Sequence, residues 1–416
     1  MSGVTRPDLA DPSTYDRGIP HATFADLRAT PGLVRNPDGP WGSGFWSVTR
    51  LDDLVAVSRD PVTFSSAVGH IQIYDVDEDV IDARASMIDL DPPVHTRLRR
   101  LVSSAFTPRH VQNYVGDVRR RIGDRLDALE AAGGGDWVSD VAAPVPIGVI
   151  CALMGVPEDD HDLMIEMTDH LVEGTSSAEL DPGAYGNTRP LRELPFNSPA
   201  AFGLEEYARR ARRNRLAHPT DDLLSQLAHA EVDGERLTET EYARFFQLMI
   251  FAGNETTRSA MAHLALHLVE HADQFDRLRR NGDLLEGAVD EVVRHASPIL
   301  YFRRTATVDT VLSGTEVAAG DKVVMWYASA NFDKEHFDDP MAFDVDRPRV
   351  PGHVAFGGGG VHFCLGASLA RIELAELVAE VQRRDLRLSV VGEPEMVSSN
   401  FVNGIQSLTV ELLGAR

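Results

Sequence analysis

A helix of some thirty residues, from Thr238 to about residue 271, restricts the folds that are open to this chain. Apolar residues recur along the segment at helical spacing. It opens with "TETE", a capping box in which Thr238 and Glu241 each satisfy a free backbone amide. At 1.5 Å per residue the helix is about 48 Å long, enough to cross a whole domain. We therefore expect the other elements to pack around it.

The rest of the chain is also patterned mainly for helices. Amphipathic segments run roughly over 110–131, 201–217, 273–281 and 283–295, and another starts at Cys364. Strand-like stretches are few, and they give β-rich parts at roughly 44–50, 302–329 and 385–416. The predicted fold class is mainly α with a small β-rich region. No repeat or clean linker divides the chain, so we expect a single domain over residues 1–416.

The charge balance argues against several kinds of partner. The 416 residues include 40 basic and 64 acidic side chains, a formal net charge of -24, which disfavours nucleic acid or an anionic membrane surface. The first residues lack the basic and apolar runs of a secretion signal, and no window approaches the ~18 apolar residues of a membrane span. With only Cys151 and Cys364, a disulfide framework is not expected, and we predict a cytoplasmic protein.

Two long irregular segments are candidates for lids or binding loops. Residues 66–91 mix apolar side chains with an acidic turn, and residues 173–200 are rich in Gly, Pro, Ser and Asn. Long irregular connections in a compact domain often carry function. For the second segment, disorder is an alternative interpretation.

The stretch "FGGGGVHFCLG", residues 356–366, places four glycines just before Cys364. A helix begins at or just after the cysteine, where free amides and the helix dipole lower the pKa of a thiol and favour the thiolate. A thiolate is a soft metal ligand, and glycines let the backbone approach a flat ligand closely. A flexible loop beside a small buried residue is the alternative. Cys151, in an apolar run, is interpreted as a packed core thiol.

Neither cysteine has a second cysteine nearby in sequence, which restricts the kinds of metal or catalytic site that Cys364 could form. A structural zinc centre needs several Cys or His ligands at short spacings, and neither cysteine has another nearby. A cysteine protease needs a His partner and an orienting group, an alternative that the spacing leaves open. A single axial thiolate favours haem.

The middle of the long helix breaks its own pattern. Residues 251–259, "FAGNETTRS", contain a glycine, an asparagine and two β-branched threonines where good helix formers are expected. Such a breach often marks function, and a structural kink is the alternative. A hydroxyl next to a carboxylate can relay protons into an apolar pocket through water, which makes Glu255 and Thr256 a candidate pair. Leu248, Ala252 and Thr256 recur every four residues and share one face.

Two further charged pairs occur at helical spacing. Glu291 and Arg294 in "EVVR" lie three residues apart, and His95 and Arg99 in "HTRLRR" lie four apart, so each pair shares a helix face. Taken alone, the first pattern is typical of a solvated pair and the second of a basic solvent face. Cations on such a face can bind carboxylates.

Together and in this order, the motifs resemble those of the cytochrome P-450 monooxygenases over nearly the full chain. The cysteine stretch is similar to the family's ligand signature and is followed by "LAR", and "AGNETT" resembles its proton-delivery stretch. After "EVVR" comes "ANFDKEHFDDPMAFDVDRP", which resembles the family's meander segment. One departure is that Phe356 stands eight residues before Cys364 rather than seven, as in some bacterial members that act on sterols and methyl-branched lipids. The resemblance implies the P-450 fold, with haem between the central helix and the cysteine loop.

The resemblance also implies a role for each motif. The cofactor would be haem b, with Cys364 as the axial iron ligand. The other cofactor-binding residues would be His95, Arg99, Arg304, His362, Phe356 and Gly366. In the central helix, Ala252 and Gly253 would leave room for dioxygen, Glu255 would be the acid and Thr256 the alcohol, with Thr257 the less favoured hydroxyl. A structural ion-pair network would consist of Glu291, Arg294 and Arg347.

The implied activity is insertion of one oxygen atom from O2 into a C–H bond of a hydrophobic small molecule. The substrate could be a sterol, a branched lipid, a terpenoid or an aromatic or polyketide-type compound. A haem-based gas sensor would need an output module, and a lipid carrier would have no use for the cysteine loop. Candidate substrate contacts are Ile71, Ile73, Met87, Ile88, Leu248, Ile299, Leu300, Phe401 and Val402.

Electrons would have to come from another protein, since the sequence encodes no flavin or iron–sulfur module. The resemblance implies a supply from NAD(P)H through a ferredoxin reductase and a ferredoxin, which is an acidic partner. We expect docking at a local basic patch on the cysteine side of the haem, made from Arg97, Arg100, Arg109 and Arg371.

Overall fold

The computed structural model describes residues 6–174, 180–232 and 234–413, and helices dominate it. The helices are α1 (His21–Ala29), α2 (Leu51–Arg59), α3 (Ile81–Arg84), α4 (Val94–Val102), α5 (Pro108–Val111), α6 (Val115–Ala132), α7 (Pro144–Met154), α8 (His161–Glu173), α9 (Pro199–Ala217), α10 (Leu223–His229), α11 (Glu239–Glu270), α12 (Ala272–Arg280), α13 (Leu285–Ala296), α14 (Tyr327–Ala330) and α15 (Ala367–Arg383). The predicted fold class, mainly α with a small β-rich region, is confirmed.

The strands are short and form small sheets. They are β1 (Val34–Asn36), β2 (Phe45–Val48), β3 (Phe64–Ser65), β4 (Gly134–Asp136), β5 (Glu231–Val232), β6 (Glu235–Arg236), β7 (Tyr301–Ala306), β8 (Thr310–Leu312), β9 (Thr315–Val317), β10 (Lys322–Trp326), β11 (Leu388–Val390), β12 (Glu395–Met396), β13 (Ile405–Ser407) and β14 (Thr409–Leu412). The largest sheet has the order β1-β2-β10-β7-β3, and β11-β14-β4 form a second. The strands predicted near 44, between 302 and 329 and near 409 are present.

Helix α11 crosses the molecule as predicted. It has 32 residues, and Thr238 and Glu241 form the expected capping box at its start. Most of its side chains are buried, because α7, α9, α13 and α15 pack around it. The helix stays continuous through residues 251–259, so the poor helix formers there do not break it.

Helix α7 is the element that periodicity alone misses. It is apolar on all sides, so it has no amphipathic pattern, and it is buried almost completely. Cys151 lies inside it with 0% exposure, which confirms that it is a packed core thiol. Burial raises the pKa of this thiol to about 12, so it stays protonated and unreactive at neutral pH.

The irregular segments are partly structured. Residues 66–91 contain α3 and two short 3-10 turns, and the described part of 173–200 also contains three such turns. The lid predicted over 173–200 includes residues 175–179, which lie outside the described residues.

A buried ion-pair network ties α13 to the chain that follows β10. Arg294 donates two hydrogen bonds to Glu291, of 2.7 and 2.9 Å, and Arg347 donates to the same carboxylate at 3.0 Å. Glu291 is 2% exposed and Arg294 is 1% exposed. Burial alone would raise the pKa of Glu291, but the bonds from Arg294 and the amide of Asp344 outweigh it and lower the pKa. The predicted contact among Glu291, Arg294 and Arg347 is therefore present.

We expect Glu291→Gln to lower the free energy of unfolding by about 3–5 kcal/mol, because it leaves two buried guanidinium groups without a counter-charge. The matched control is Glu286→Gln on the same helix, since Glu286 forms an exposed ion pair with Arg349. The control should cost at most about 1 kcal/mol. Urea unfolding of both variants measures the difference, and equal losses would contradict the assignment.

Candidate active site

A cavity lies between the middle of α11 and the loop that carries Cys364. One wall is the face of α11 that bears Leu248, Ala252 and Thr256, as their spacing predicts. The opposite wall includes Phe356, Cys364 and Gly366 from the cysteine loop, with Leu369 from α15. The cysteine and the broken pattern of the central helix, far apart in sequence, therefore face the same space.

Backbone contacts hold the cysteine loop in place. The amide of Cys364 donates to the carbonyl of Phe356 at 2.9 Å, so the loop closes on itself despite its extra glycine. Gly360 has a φ of +76°, and a Cβ at this position would collide with the Ser58 carbonyl of α2. A Cβ at Gly358 would lie 2.9 Å from Leu54. Gly358 and Gly360 therefore allow the loop to pack on α2, and Gly357 lines the cavity. The approach of the loop to a flat ligand stays a prediction.

The thiol of Cys364 is exposed to the cavity, and its surroundings act on its pKa in opposite directions. Burial among protein atoms raises its pKa, although the amides of Gly366 and Ala367 donate toward the sulfur and Arg99 and Arg371 favour the thiolate. Helix α15 starts at Ala367, just after the cysteine, as expected. The predicted lowering of the pKa by the helix amides is therefore present, but burial outweighs it and the net shift is upward.

A cluster of cationic and imidazole side chains lines one end of the cavity. His95, Arg99, Arg304 and His362 all lie on its wall. The rings of His95 and His362 are 4.2 Å apart, and burial lowers the pKa of His95 to about 4 and that of His362 to about 2. Nδ1 of His95 is buried without a hydrogen-bond partner. The cluster therefore offers donors and positive charge to an anionic group inside the cavity.

The two residues of the proposed proton relay face different directions. Thr256 lines the cavity, and its hydroxyl donates to the carbonyl of Ala252 at 2.8 Å. The Glu255 carboxylate accepts from Asn254 at 2.9 Å and lies 3.6 Å from Arg258, inside a cluster that includes Thr168 of α8. Glu255 is not among the described residues that line the cavity. Adjacency in sequence does not bring the two side chains together, since neighbours on a helix point about 100° apart.

Burial raises the pKa of Glu255 to about 7, against the lowering effect of Arg258 and with a further contribution from Asp169. The carboxyl group therefore changes charge near neutral pH, as a proton donor in a relay requires.

Gly253 allows a close approach between two helices. A Cβ at this position would lie 2.8 Å from Ile150 of α7, and both residues line the cavity. Since α11 does not unwind here, the glycine brings α7 close and does not loosen the helix.

The predicted substrate contacts divide into two groups. Met87, Ile88, Leu248 and Ile299 line the cavity. The other five predicted contacts, Ile71, Ile73, Leu300, Phe401 and Val402, are buried in the core and lie outside the cavity wall. Phe401 packs on Tyr301 and on the cavity residue Phe302, so it lies behind the wall. The role of these five residues as substrate contacts stays a prediction.

Several residues that line the cavity belong to none of the motifs that the sequence analysis singled out. Glu373 on α15 lines the cavity with its carboxyl buried, and burial raises its pKa well above the usual range. Phe302 and Tyr327 belong to the wall through β7 and α14. Helical spacing from Gly366, seven residues or about two turns earlier, could have found Glu373, but Tyr327 requires the strand pairing to be known.

The two irregular segments bind each other. Arg84, 3% exposed, donates to the side chain of Asn197 at 2.9 Å and to the hydroxyl of Tyr74 at 2.8 Å. Arg192 pairs with Asp77 at 3.2 Å and with Asp79 at 3.1 Å. The acidic turn and the polar segment therefore form one seam.

The basic patch predicted for docking is only partly free. Arg100 and Arg109 are exposed, on α4 and α5. Arg97 pairs with Glu241 of α11, and Arg371 pairs with Asp290 at 2.8 Å and lies over the ring of Phe356. Because Arg97 and Arg371 are neutralised within the chain, we no longer include them in the docking patch. Arg59, exposed beside Gly359, is a further cation near the loop.

Comparison with known proteins identifies the class that this fold and site define. Residues 78–403 match the family model for cytochrome P450. The chain belongs to the cytochrome P450 family.

Named relatives and a solved structure agree with this. A methyl-branched lipid omega-hydroxylase of Mycobacterium tuberculosis is 40% identical, over 95% of this chain and 91% of the relative. A steroid C26-monooxygenase of the same species is 35% identical, over 98% and 93%. The structure of a Mycobacterium marinum cytochrome P450 in complex with pseudoionone is 37% identical, with a TM-score of 0.85 over 98% of this chain and 100% of that one.

The protein is therefore an oxidoreductase of the monooxygenase type, and its family implies a haem-thiolate cofactor and the use of O2. Among the described residues, none of the helices combines the length and the apolar character needed to cross a membrane.

The raised pKa of Glu255 predicts a pH-dependent cost to stability. A shift from 4.5 to about 7 corresponds to about 3 kcal/mol. Stability from the protonated carboxyl is present below pH 4.5 and is lost as pH rises toward 7, so the wild type should weaken relative to Glu255→Gln over that window. Chemical unfolding at several pH values measures this difference. Thr257→Val, which removes no ionisable group, should differ from the wild type by an amount independent of pH, and the same flat result for Glu255→Gln would contradict the shift.

Proposed function

We propose that this protein hydroxylates a C–H bond of an elongated, mainly apolar lipid-like molecule, with electrons delivered by a ferredoxin. The observation that carries the proposal is the shared cavity: a cysteine on one wall, the Ala252 to Thr256 face opposite, and apolar side chains between them. We also propose that residues 1–416 act as one domain, since helices and sheet residues contribute to the same wall.

The residues present fit haem. Cys364 offers its sulfur to the cavity beside the amides of Gly366 and Ala367, and would be the iron ligand. The buried, unpartnered Nδ1 of His95 and the cations of Arg99 and Arg304 suit the two propionates. His362, held by Ser66 at 3.1 Å, would complete this end of the site. When bound, haem supplies the activation of O2 and the oxidation of the C–H bond.

The chain itself excludes water, positions the substrate and moves protons. Thr256 places a hydroxyl on the cavity wall, and because its O–H donates to the Ala252 carbonyl, its oxygen can accept a hydrogen bond from a water in the cavity. Glu255 titrates near neutral pH one position away, within a polar cluster with Asn254 and Arg258. Because Glu255 faces away from the cavity, water must connect the carboxyl group to the hydroxyl.

The apolar lining favours a substrate with little polar surface. Met87, Ile88, Leu248 and Ile299 are the contacts we assign, and the relatives named above act on a methyl-branched lipid and a steroid. Arg84 lies three residues before Met87, so we propose that the seam of Arg84 and Arg192 holds the Met87 side of the cavity wall in place.

The proposal is tested with a panel of methyl-branched lipids, steroids and terpenoid ketones, supplied with NAD(P)H, ferredoxin and reductase. At least one class should shift the haem spectrum and give an oxygen-dependent hydroxylated product. Thr256→Val should lower the fraction of electrons recovered as product at least tenfold, because it removes the hydroxyl on the cavity face shared with Leu248 and Ala252. Thr257 also lines the cavity but lies off that face. Thr257→Val should stay within about twofold. Absence of any product across the panel, or equal effects of the two variants, would contradict the proposal.

Docking of the ferredoxin is assigned to Arg100 and Arg109. Arg99, beside Arg100, donates to the Phe363 carbonyl of the cysteine loop, and α5 contacts α15. An acidic partner at this surface would bring electrons to the cysteine side.

Arg100→Glu combined with Arg109→Glu should raise the KM for ferredoxin at least fivefold at low salt, because attraction becomes repulsion. The difference should shrink as salt screens the charges. Arg210→Glu is the matched control, an exposed position on α9, which packs on α8, α10 and α11. A ferredoxin KM that is unchanged in the double variant would remove these two residues from the docking surface.

A further inference from the structure

The end of α11 carries a cluster of side chains that the oxidation chemistry does not use. His267, Glu270 and His271 stand at spacings of three and four, so all three lie on one helix face. One ligand atom from each lies within 4.8 Å of the others. None of the three lines the cavity, and eleven residues, about 16 Å of helix, separate His267 from Thr256.

His267 is buried without any hydrogen bond. It is 7% exposed, and neither Nδ1 nor Nε2 has a partner. Buried polar atoms almost always have one, so this ring requires an explanation. The histidines around it are satisfied elsewhere: His263 bonds the Asn403 carbonyl at 3.2 Å, and His295 bonds the Ala342 carbonyl at 3.2 Å.

The rings packed on His267 do not satisfy it, since none of the described residues forms a hydrogen bond with either of its nitrogens. Phe343 lies against the rings of both His267 and His271, with centroids 4.6 and 5.0 Å away. Glu270 is exposed and His271 is half-exposed, so an ion could reach the cluster from solvent. The negative end of the α11 dipole also favours a cation here.

We propose that His267, Glu270 and His271 form a zinc site, with water as the fourth ligand. Two imidazoles and one carboxylate, with one position left for water, are a recurrent set for tetrahedral Zn²⁺. Mg²⁺ and Ca²⁺ prefer oxygen ligands, so a site with two imidazoles does not suit them. Zinc–nitrogen bonds are about 2.0–2.1 Å, so the ligand atoms must move closer together. The exposed Glu270 and half-exposed His271 can rotate toward the fixed ring of His267.

The position of the site indicates what zinc would do. His271 is both the last cap of α11 and the first cap of α12, so it is the joint between the two helices. Zinc bound to it and to His267 would fix the angle of this joint and stabilise the folded chain by binding only that state. The site would therefore act on the stability of the folded chain and not on turnover.

The test is a calorimetric titration of the holoprotein with ZnCl2, after a chelator has removed bound metal but left the haem. The wild type should bind one ion per chain and gain thermal stability. Glu270→Gln and His271→Gln change exposed or half-exposed side chains, so both should fold, and each should weaken zinc binding at least tenfold. His218→Gln, an exposed histidine at the end of α9, is the control and should bind as the wild type does.

X-ray absorption at the zinc edge identifies the ligands directly. We expect scattering from two imidazoles in the wild type and from one in His271→Gln. Binding that is equally tight in Glu270→Gln, His271→Gln and the wild type would overturn the site. So would the absence of stoichiometric binding in the wild type, which would leave His267 as an aromatic packing residue only.

Discussion

The buried carboxylate of Glu291 is the interaction on which the position of the cysteine depends. It neutralises Arg294, which in turn donates to the carbonyl of Asn331 at 2.7 Å. The side chain of Asn331 accepts from the amide of Val354 at 2.8 Å, two residues before the loop begins at Phe356. Removing one charge would leave the other buried and unpaired, which costs more than the pair contributes. The network therefore fixes the path of the chain from α13 to Cys364. It positions the cysteine loop as well as stabilising the fold.

Two opposing effects meet at the sulfur of Cys364. The pocket excludes water, which raises the pKa of the thiol, while the amides of Gly366 and Ala367 point toward it. Those amides are available because α15 begins just after them and leaves its first donors free. A cation at the sulfur reverses the balance, because a metal stabilises the thiolate far more than helix amides do. The protein thus provides directional donors, and the iron of the haem that the family implies would supply the charge that makes them sufficient.

The sequence predicted the elements and motifs whose geometry is local. The central helix, its capping box, the Glu291 and Arg294 pair and the cavity face of Leu248, Ala252 and Thr256 all follow from helical spacing. What the sequence did not predict depends on contacts between distant segments. The glycines pack on α2, Arg97 is neutralised by Glu241, and Phe401 lies in the core, and none of these can be read from a single segment. That the Glu255 side chain points away from the cavity could have been predicted from the sequence, since adjacent residues on a helix point about 100° apart and Thr256 faces the cavity.

The seam between the irregular segments divides into a weak outer part and a strong inner part. The pairs of Arg192 with Asp77 and Asp79 are exposed, and such pairs contribute at most about 1 kcal/mol each. Arg84 is buried and bonds Tyr74 and Asn197, so separating these groups without water would cost several times more. If the two segments separate from the solvent side, the exposed ion pairs of Arg192 break before the buried hydrogen bonds of Arg84. Arg84 lies in the same segment as Met87 and Ile88, which line the cavity, so the buried bonds of Arg84 hold that part of the wall in place.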